Sequence, residues 1–340
     1  MFFFVLIAGV LLAGAAYQWI GTQLDLRRFP PPGRFVEIDG TRLHLHQQGY
    51  GTPVVILEAG IAGSSLGWAL VQPAIAEFTT VCSYDRAGLG WSGPSPKSKT
   101  LDQMTSQLEA LLIKAQLEPP YVLVGHSFGG LLIRAYAHFR LRNVVGMVFV
   151  DPVSLSAWAD CGTRERRRLA TGVKLSPRGA ILARLGIVRL ALALLVSGGR
   201  LLPKLIGRAA ARQGAGTMER LVGEVRKLPS DLWPVVQSHW CNPKNFSAMA
   251  AYLASLPECA VQAQRMDIPA HVPFLVLSAG NSSAGELSER ASWVRQSQAG
   301  RHEQAPGTGH WIQLERPDLV IDAVRDMVDR FRCDHPVQLR

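Results

Sequence analysis

Ser127 has the setting in this chain that most directly points to chemistry. It stands in Gly125-His126-Ser127-Phe128-Gly129-Gly130, with glycines two positions to either side. A hydroxyl is a weak nucleophile until a base takes its proton, and it must be held clear of its neighbours for base and substrate to reach it. Glycines at these two offsets let the chain turn sharply enough for that. The spacing is the nucleophile-elbow pattern, which requires a strand before the serine and a helix after it. The base must come from elsewhere. Among nine histidines, His310 alone lies in a tight glycine loop, Pro306-Gly307-Thr308-Gly309-His310-Trp311, and comes last in the chain order nucleophile–acid–histidine. In a chain with 32 glycines, G-x-S-x-G also arises by chance, so the surrounding elements decide.

Those elements fit. Tyr121 to Val124 is an apolar, β-branched run that reads as a buried strand, and Leu131, Leu132, Ala135, Tyr136 and Phe139 trace a helical face after the turn. Further strands are expected at Pro53–Leu57, Thr79–Tyr84, Val144–Val150 and Pro273–Ala279, and Arg34–Ile38 with Thr41–His46 reads as a hairpin about Asp39-Gly40. Thr100 with Gln103 is a capping box opening a helix through Leu117. A helix is expected from about Glu286 to Gln298, and a last one over Pro317–Arg332. Alternating strands and helices predict a mostly parallel sheet with helices on both faces, whose sites lie at strand carboxyl ends. Ser127, Asp151 and the Gly60–Ile61 loop all fall there. That loop, Glu58-Ala59-Gly60-Ile61-Ala62-Gly63, has neither the Walker lysine nor a G-x-G-x-x-G spacing, so it does not read as a phosphate cradle. Its small residues instead allow backbone N–H groups to approach a reacting carbonyl. Asp85 and Arg86 are expected to form an ion pair fixing their turn. His44 and His46 read as solvent-facing strand residues rather than metal ligands.

Composition places the rest. At 48% hydrophobic and 18% charged, 340 residues can bury a sizeable core. Five cysteines without a C-x-x-C pair indicate neither a disulfide framework nor a zinc site. Residues 152–270 hold 17 Lys/Arg against 7 Asp/Glu, while the remainder balances at 19 against 19, so the net charge of +10 sits in one segment. No recognition-helix or aromatic pattern accompanies it, which argues against nucleic acid. The segment reads as a helical lid: Arg164 to Arg168 open a basic helix, Ala180 to Val196 is a mostly apolar run, and Lys204, Arg208 and Arg212 recur at helical spacing. With Phe2–Ile20 apolar except for Gln18, and Tyr17 and Trp19 at one end, residues 1–24 read as a membrane anchor. A cleavable signal peptide is the competing reading through Ala13-Gly14-Ala15, but no Lys or Arg precedes the apolar run. Arg27 and Arg28 would place the downstream domain in the cytoplasm by the positive-inside rule, a thin basis that leaves orientation open. Residues 25–33 form a proline-rich linker, 34–151 and 271–340 the core, and 152–270 the cap, whose basic face would rest on anionic lipid.

Taken together, Gly125-His126-Ser127-Phe128-Gly129-Gly130, Tyr84-Asp85-Arg86-Ala87-Gly88 and Gly309-His310 resemble the α/β-hydrolase superfamily, in its serine esterase and lipase-like branch with a membrane anchor. The likeness covers about Gly33 to Phe331. It implies the α/β-hydrolase fold and a Ser–acid–His apparatus with no cofactor and no metal, acting on a small-molecule or lipid-like ester. The serine argues against the haloalkane dehalogenase and epoxide hydrolase branches, which use aspartate at that position. Two departures stand out. The oxyanion loop begins Ala59-Gly60 where most relatives have His-Gly; because the donors are backbone N–H groups, Ile61 and Phe128 remain the expected ones. The loop after Pro273–Ala279 contains no aspartate, so the acid is expected to be Asp151, with Glu286 as the alternative. Rival readings are a cofactor-free haloperoxidase, perhydrolase or C–C bond hydrolase with the same triad, and a membrane-tethered binding protein without turnover.

Overall fold

The computed structural model describes residues 1–196, 226–295 and 297–336; the run Lys204, Arg208, Arg212 lies outside them. Eight strands form one sheet: β1 (Arg34–Ile38), β2 (Thr41–Gln48), β3 (Val54–Glu58), β4 (Val81–Tyr84), β5 (Tyr121–His126), β6 (Val144–Val150), β7 (Phe274–Ala279) and β8 (Gly300–Ala305). Their order is β1-β2-β4-β3-β5-β6-β7-β8. The hairpin partner β2 runs antiparallel to both β1 and β4, and every other pairing is parallel.

The sheet is buried on both faces, and strand periodicity divides its side chains between two cores. Leu123, Met147, Phe149, Phe274 and Val276 point to one core, which also takes Leu108 and Leu112 of the helix Leu101–Lys114 and Leu132 and Tyr136 of the elbow helix Gly129–Phe139. Val122, Val124, Val148, Leu275 and Leu277 point to the other. There the final helix, Pro317–Asp334, buries Val320, Ala323, Val324, Met327, Val328 and Phe331, the stripe its sequence presents. Gly146 leaves room for it, since a Cβ there would stand 3.1 Å from Cβ of Met327. Thr100 caps the helix after it, its hydroxyl accepting from Gln103 N at 3.3 Å, and the helix stops at Lys114 rather than Leu117.

Strand β8 is absent from the sequence-based expectation. Gly-Arg-His-Glu-Gln-Ala has one apolar residue and no run that signals a strand, yet it pairs with β7 over its whole length. Edge strands tolerate such composition because one flank meets solvent. The N-terminal helix runs Phe2–Arg28, into the stretch read as linker. Between β6 and β7 the described segments are helical, and the helix Pro243–Gln264 sends Tyr252, Leu256 and Cys259 into the same core as β5 and β6. Two expectations about the turn after β4 are corrected. Asp85 and Arg86 do not pair with each other: Asp85 meets His44 and Arg86 meets Glu58. His44 is fully buried rather than solvent-facing. Strand β2 lies beside β4 in the sheet, and the carboxylate of Asp85 buried at its end must find donors, which His44 Nδ1 (3.0 Å), Ser65 N (2.7 Å) and Trp91 N (2.8 Å) supply.

Candidate active site

Ser127 follows β5 directly and adopts φ +54, in the left-handed region. Its N–H donates to Val150 O at 3.0 Å and its carbonyl accepts from Gly130 N at 3.0 Å, so the apex is bonded on both sides. The glycine spacing has a steric cause. A Cβ on Gly125 would stand 2.6 Å from Gly129 O, one on Gly129 would collide with the Glu58 carbonyl oxygen, and one on Gly130 would lie 3.0 Å from Cβ of Pro152. Strand, turn and helix therefore meet only if Gly125 and Gly129 lack side chains, and at Gly130 the fit is tight.

The β3 loop arrives beside it: a Cβ on Gly60 would lie 3.5 Å from Cβ of Ser127. Among the described residues, no backbone or side-chain acceptor takes the N–H of Ile61 or of Phe128. What holds this loop is a buried group that sequence reasoning assigned otherwise. The Arg86 guanidinium donates to the carbonyls of Ala59 (2.6 Å), Gly60 and Ile61 (3.2 Å), while also pairing with Glu58 Oε1. Tyr84 donates its hydroxyl to the other Glu58 oxygen. The guanidinium carbon sits 5.4 Å from the Phe128 ring centroid and 5.1 Å from that of Tyr252. Burial pushes the Glu58 carboxyl up, against the opposing pull of Arg86 and the Tyr84 hydrogen bond.

His310 lies in the loop after β8, and its Nδ1 stands 2.6 Å from Asp151 Oδ2. The loop is set by Gly307 at φ +75, by the Thr308 hydroxyl donating to Ala305 O at 2.8 Å, and by Gly309 N donating to Glu315 Oε2 at 2.6 Å. The His310 ring packs 4.7 Å from the His126 ring, and His126 Nε2 lies 2.9 Å from the His310 carbonyl oxygen. Burial, followed by the proximity of His310, lowers the His126 pKa to about 3, so this histidine is neutral at ordinary pH. Ser127 Oγ is not hydrogen-bonded to His310 in this structure, whose imidazole side chain is 46% exposed.

Asp151, at the end of β6 with φ +40, is buried among donors. Oδ1 accepts from Ala279 N at 3.0 Å, Ser282 Oγ at 3.3 Å and Arg290 Nη1 at 2.8 Å. Arg290 is itself 2% exposed, and it also donates to Ser278 Oγ at 2.8 Å and Pro152 O at 2.6 Å. Burial acts to raise the Asp151 pKa, but the His310 hydrogen bond and the Arg290 charge outweigh it and hold the carboxyl at about 2. Glu286 lies apart from this cluster. Its Oε2 accepts from Ser283 N at 2.8 Å and Ser283 Oγ at 2.7 Å at the start of the helix Ala284–Arg295. The structure therefore gathers Ser127, His310, Asp151, Ile61 and Phe128 at neighbouring strand ends and leaves Glu286 at the surface. Arg290, Arg86 with Glu58, and His126 are the neighbours that sequence reasoning missed. For Arg290 no local signal existed, since an arginine in Ala-Gly-Glu-Leu-Ser-Glu-Arg looks solvent-facing.

A pH dependence follows from Asp151. Its folded pKa lies below the ordinary value of 3.8, so its contribution to stability is present above that value and is lost as pH falls toward about 2. The shift corresponds to about 2 kcal/mol. In Arg290→Met, chemical unfolding across the acid range is expected to show this loss at higher pH than in the parent; superimposable profiles would show that Arg290 does not hold the carboxyl down.

A mostly parallel sheet carrying a serine elbow at its carboxyl edge, with a histidine on a buried carboxylate next to it, defines an α/β hydrolase. The model of the alpha/beta hydrolase family matches residues 54–323, and the chain belongs to that family. It is similar to YqjL of Bacillus subtilis, 36% identical over 127 residues that cover 37% of this chain and 49% of YqjL. It is also similar to RutD of Klebsiella pneumoniae, a putative carbamate hydrolase, at 36% over 118 residues that cover 34% of this chain and 42% of RutD. The chain thus spans about half, or less, of the length of these curated relatives. Among solved structures, the epoxide hydrolase CorEH superposes with TM-score 0.63 at 18% identity, covering 88% of this chain and 99% of CorEH. A thermophilic esterase from Thermogutta terrifontis superposes with TM-score 0.57 at 21% identity, covering 87% of this chain and 98% of the esterase. At such identities the likeness is one of fold.

Proposed function

We propose that the protein is a serine hydrolase that cleaves carboxylic esters of apolar, lipid-like alcohols or acids through an acyl-enzyme, and that its N-terminal helix holds it at a membrane. The observation that carries this reading is the 2.6 Å contact between His310 Nδ1 and Asp151 Oδ2, beside a serine on an elbow. His310 Nε2 takes the Ser127 proton as Oγ attacks the ester carbonyl. The oxyanion that forms is held by the N–H groups of Ile61 and Phe128. Asp151 orients the imidazole and stabilises its charged form. The proton then passes to the departing alkoxide, leaving an acyl-serine, and water attacks it by the same route in reverse. For Ser127 and His310 to meet, one side chain must reorient on substrate binding, a tightening common in sites without ligand.

The apolar helix Phe2–Arg28, with mean hydropathy 2.0 over its best window, supports the membrane part of the reading. The test of the chemistry is labelling of the full-length protein with a fluorophosphonate, with the modified residue located by mass spectrometry. A phosphonyl group on Ser127 is expected. Failure to label would favour a binding protein that keeps the fold without turnover. An ester panel of increasing acyl length would then define the substrate.

Arg86 enters this mechanism as a positioning residue. By holding three loop carbonyls on one side, it turns the N–H groups of the same loop toward Ser127. Loss of one oxyanion donor costs about 2.7–4 kcal/mol of barrier, roughly 10²–10³ in kcat. Arg86→Met is expected to lower kcat by an amount of that order with KM little changed. It also strands Glu58, at a cost of about 3–5 kcal/mol in stability. The paired variant Arg86→Met/Glu58→Gln should recover stability but not kcat; recovery of both would show that the guanidinium only satisfies a buried charge.

A further inference from the structure

The N-terminal helix is built into the cap rather than trailing from it. Gln18 is 5% exposed in the middle of an apolar helix, and its amide donates to Cys241 O at 2.8 Å and accepts from Arg189 Nε at 3.1 Å. Arg189 Nη2 also pairs with Asp25 at 2.7 Å. The backbones meet through glycines: a Cβ on Gly186 would stand 2.7 Å from Gly14 O and 2.9 Å from the Tyr17 ring. A tether that only spans a bilayer has no use for a buried glutamine, an ion pair and a glycine contact with the domain it carries.

This docking sets the depth of the cap. Phe2 to Ile20 is about 28 Å of helix at ~1.5 Å per residue, close to the ~30 Å hydrocarbon layer. Gly14 then lies about 9 Å inside the edge marked by Ile20, and Gly186 lies against it. Interfacial helices bury their apolar faces to about this depth, ~5–10 Å. The cap surface around Gly186 is composed for it. Ile181, Leu182, Ile187 and Leu190 are exposed there, in the stretch where the helix Thr163–Arg184 ends and Ile187–Val196 begins. Lys174 and Arg178 are exposed on the helix leading into it and Arg184 within it, where long basic side chains reach toward anionic headgroups.

We propose that the cap surface formed by Ile181, Leu182, Ile187 and Leu190 inserts into the acyl region of an anionic bilayer together with the N-terminal helix, so that anchor and cap form a single membrane-seated unit. The proposal rests on the membrane-anchor reading above and adds to it that the cap itself enters the lipid.

The test uses full-length protein in vesicles of phosphatidylcholine and phosphatidylglycerol, with and without acyl-chain bromination. In a Cys161→Ser/Cys333→Ser background, a bimane is placed on Leu6→Cys, Leu190→Cys or Glu303→Cys. Loss of emission in brominated vesicles is expected for the probes at positions 6 and 190 and not for the one at position 303. Adding Gln18→Leu and Arg189→Leu, which undock helix from cap, should abolish quenching at position 190 and leave it at position 6. Quenching at position 6 alone in the docked protein would overturn the proposal and leave a simple tether. Quenching at neither position 6 nor position 190 would overturn the anchor reading itself.

Discussion

Ser127→Ala is expected to lower kcat toward a p-nitrophenyl ester by roughly a millionfold, the loss typical when the nucleophile of such a unit is removed. The substitution isolates chemistry from folding. Alanine at φ +54 keeps the Cβ that serine already carries there, and the apex hydrogen bonds, Ser127 N to Val150 O and Gly130 N to Ser127 O, belong to the backbone. Stability and KM should change little while turnover disappears. Steady-state kinetics with chemical unfolding of the same preparation checks both; unchanged turnover would remove Ser127 from the mechanism.

Asp151→Asn is expected to cost about 10⁴-fold in kcat, because an amide supports the wrong imidazole tautomer and no longer stabilises the imidazolium. Glu286→Gln should leave kcat close to the parent value, since that carboxylate caps its own helix through Ser283. The asparagine variant carries a second effect that must be separated from the first. It leaves the buried Arg290 guanidinium without its counter-charge, a loss of about 3–5 kcal/mol in stability. Measuring kcat per folded molecule, and adding Arg290→Met to restore a neutral pocket, separates them: the double variant should regain stability and stay slow. If Asp151→Asn keeps most of its activity, the third member of the triad is misassigned.

The parts legible in the sequence are those that near neighbours decide. The elbow can be read because Gly125 and Gly129 are required by clashes within one strand–turn–helix unit, or with a strand end packed on it. The stripe of the final helix and the hairpin about Asp39-Gly40 are visible for the same reason, as is the cap on Thr100. Each depends on residues within a turn or two of one another, so spacing alone carries the information.

Which partners those local units find is another matter. His310 and Asp151 meet across 159 residues, and Arg290 reaches Asp151 across 139. Chain order and strand ends proposed Asp151 but left Glu286 open beside it, because two carboxylates near a sheet edge look alike until one is buried. Adjacency pairs Arg86 with Asp85, yet the fold separates them and gives Arg86 the buried Glu58 carboxylate and Asp85 the buried His44 ring. Strand β8 escaped for want of an apolar pattern, since pairing with β7 rather than composition holds it. The sequence by itself determined the family, seven of the eight strands and the serine on its elbow. Only tertiary structure decided which charges are buried and against what, because desolvation makes an isolated charge so costly that each buried one must be matched by whatever residue the completed fold brings within reach.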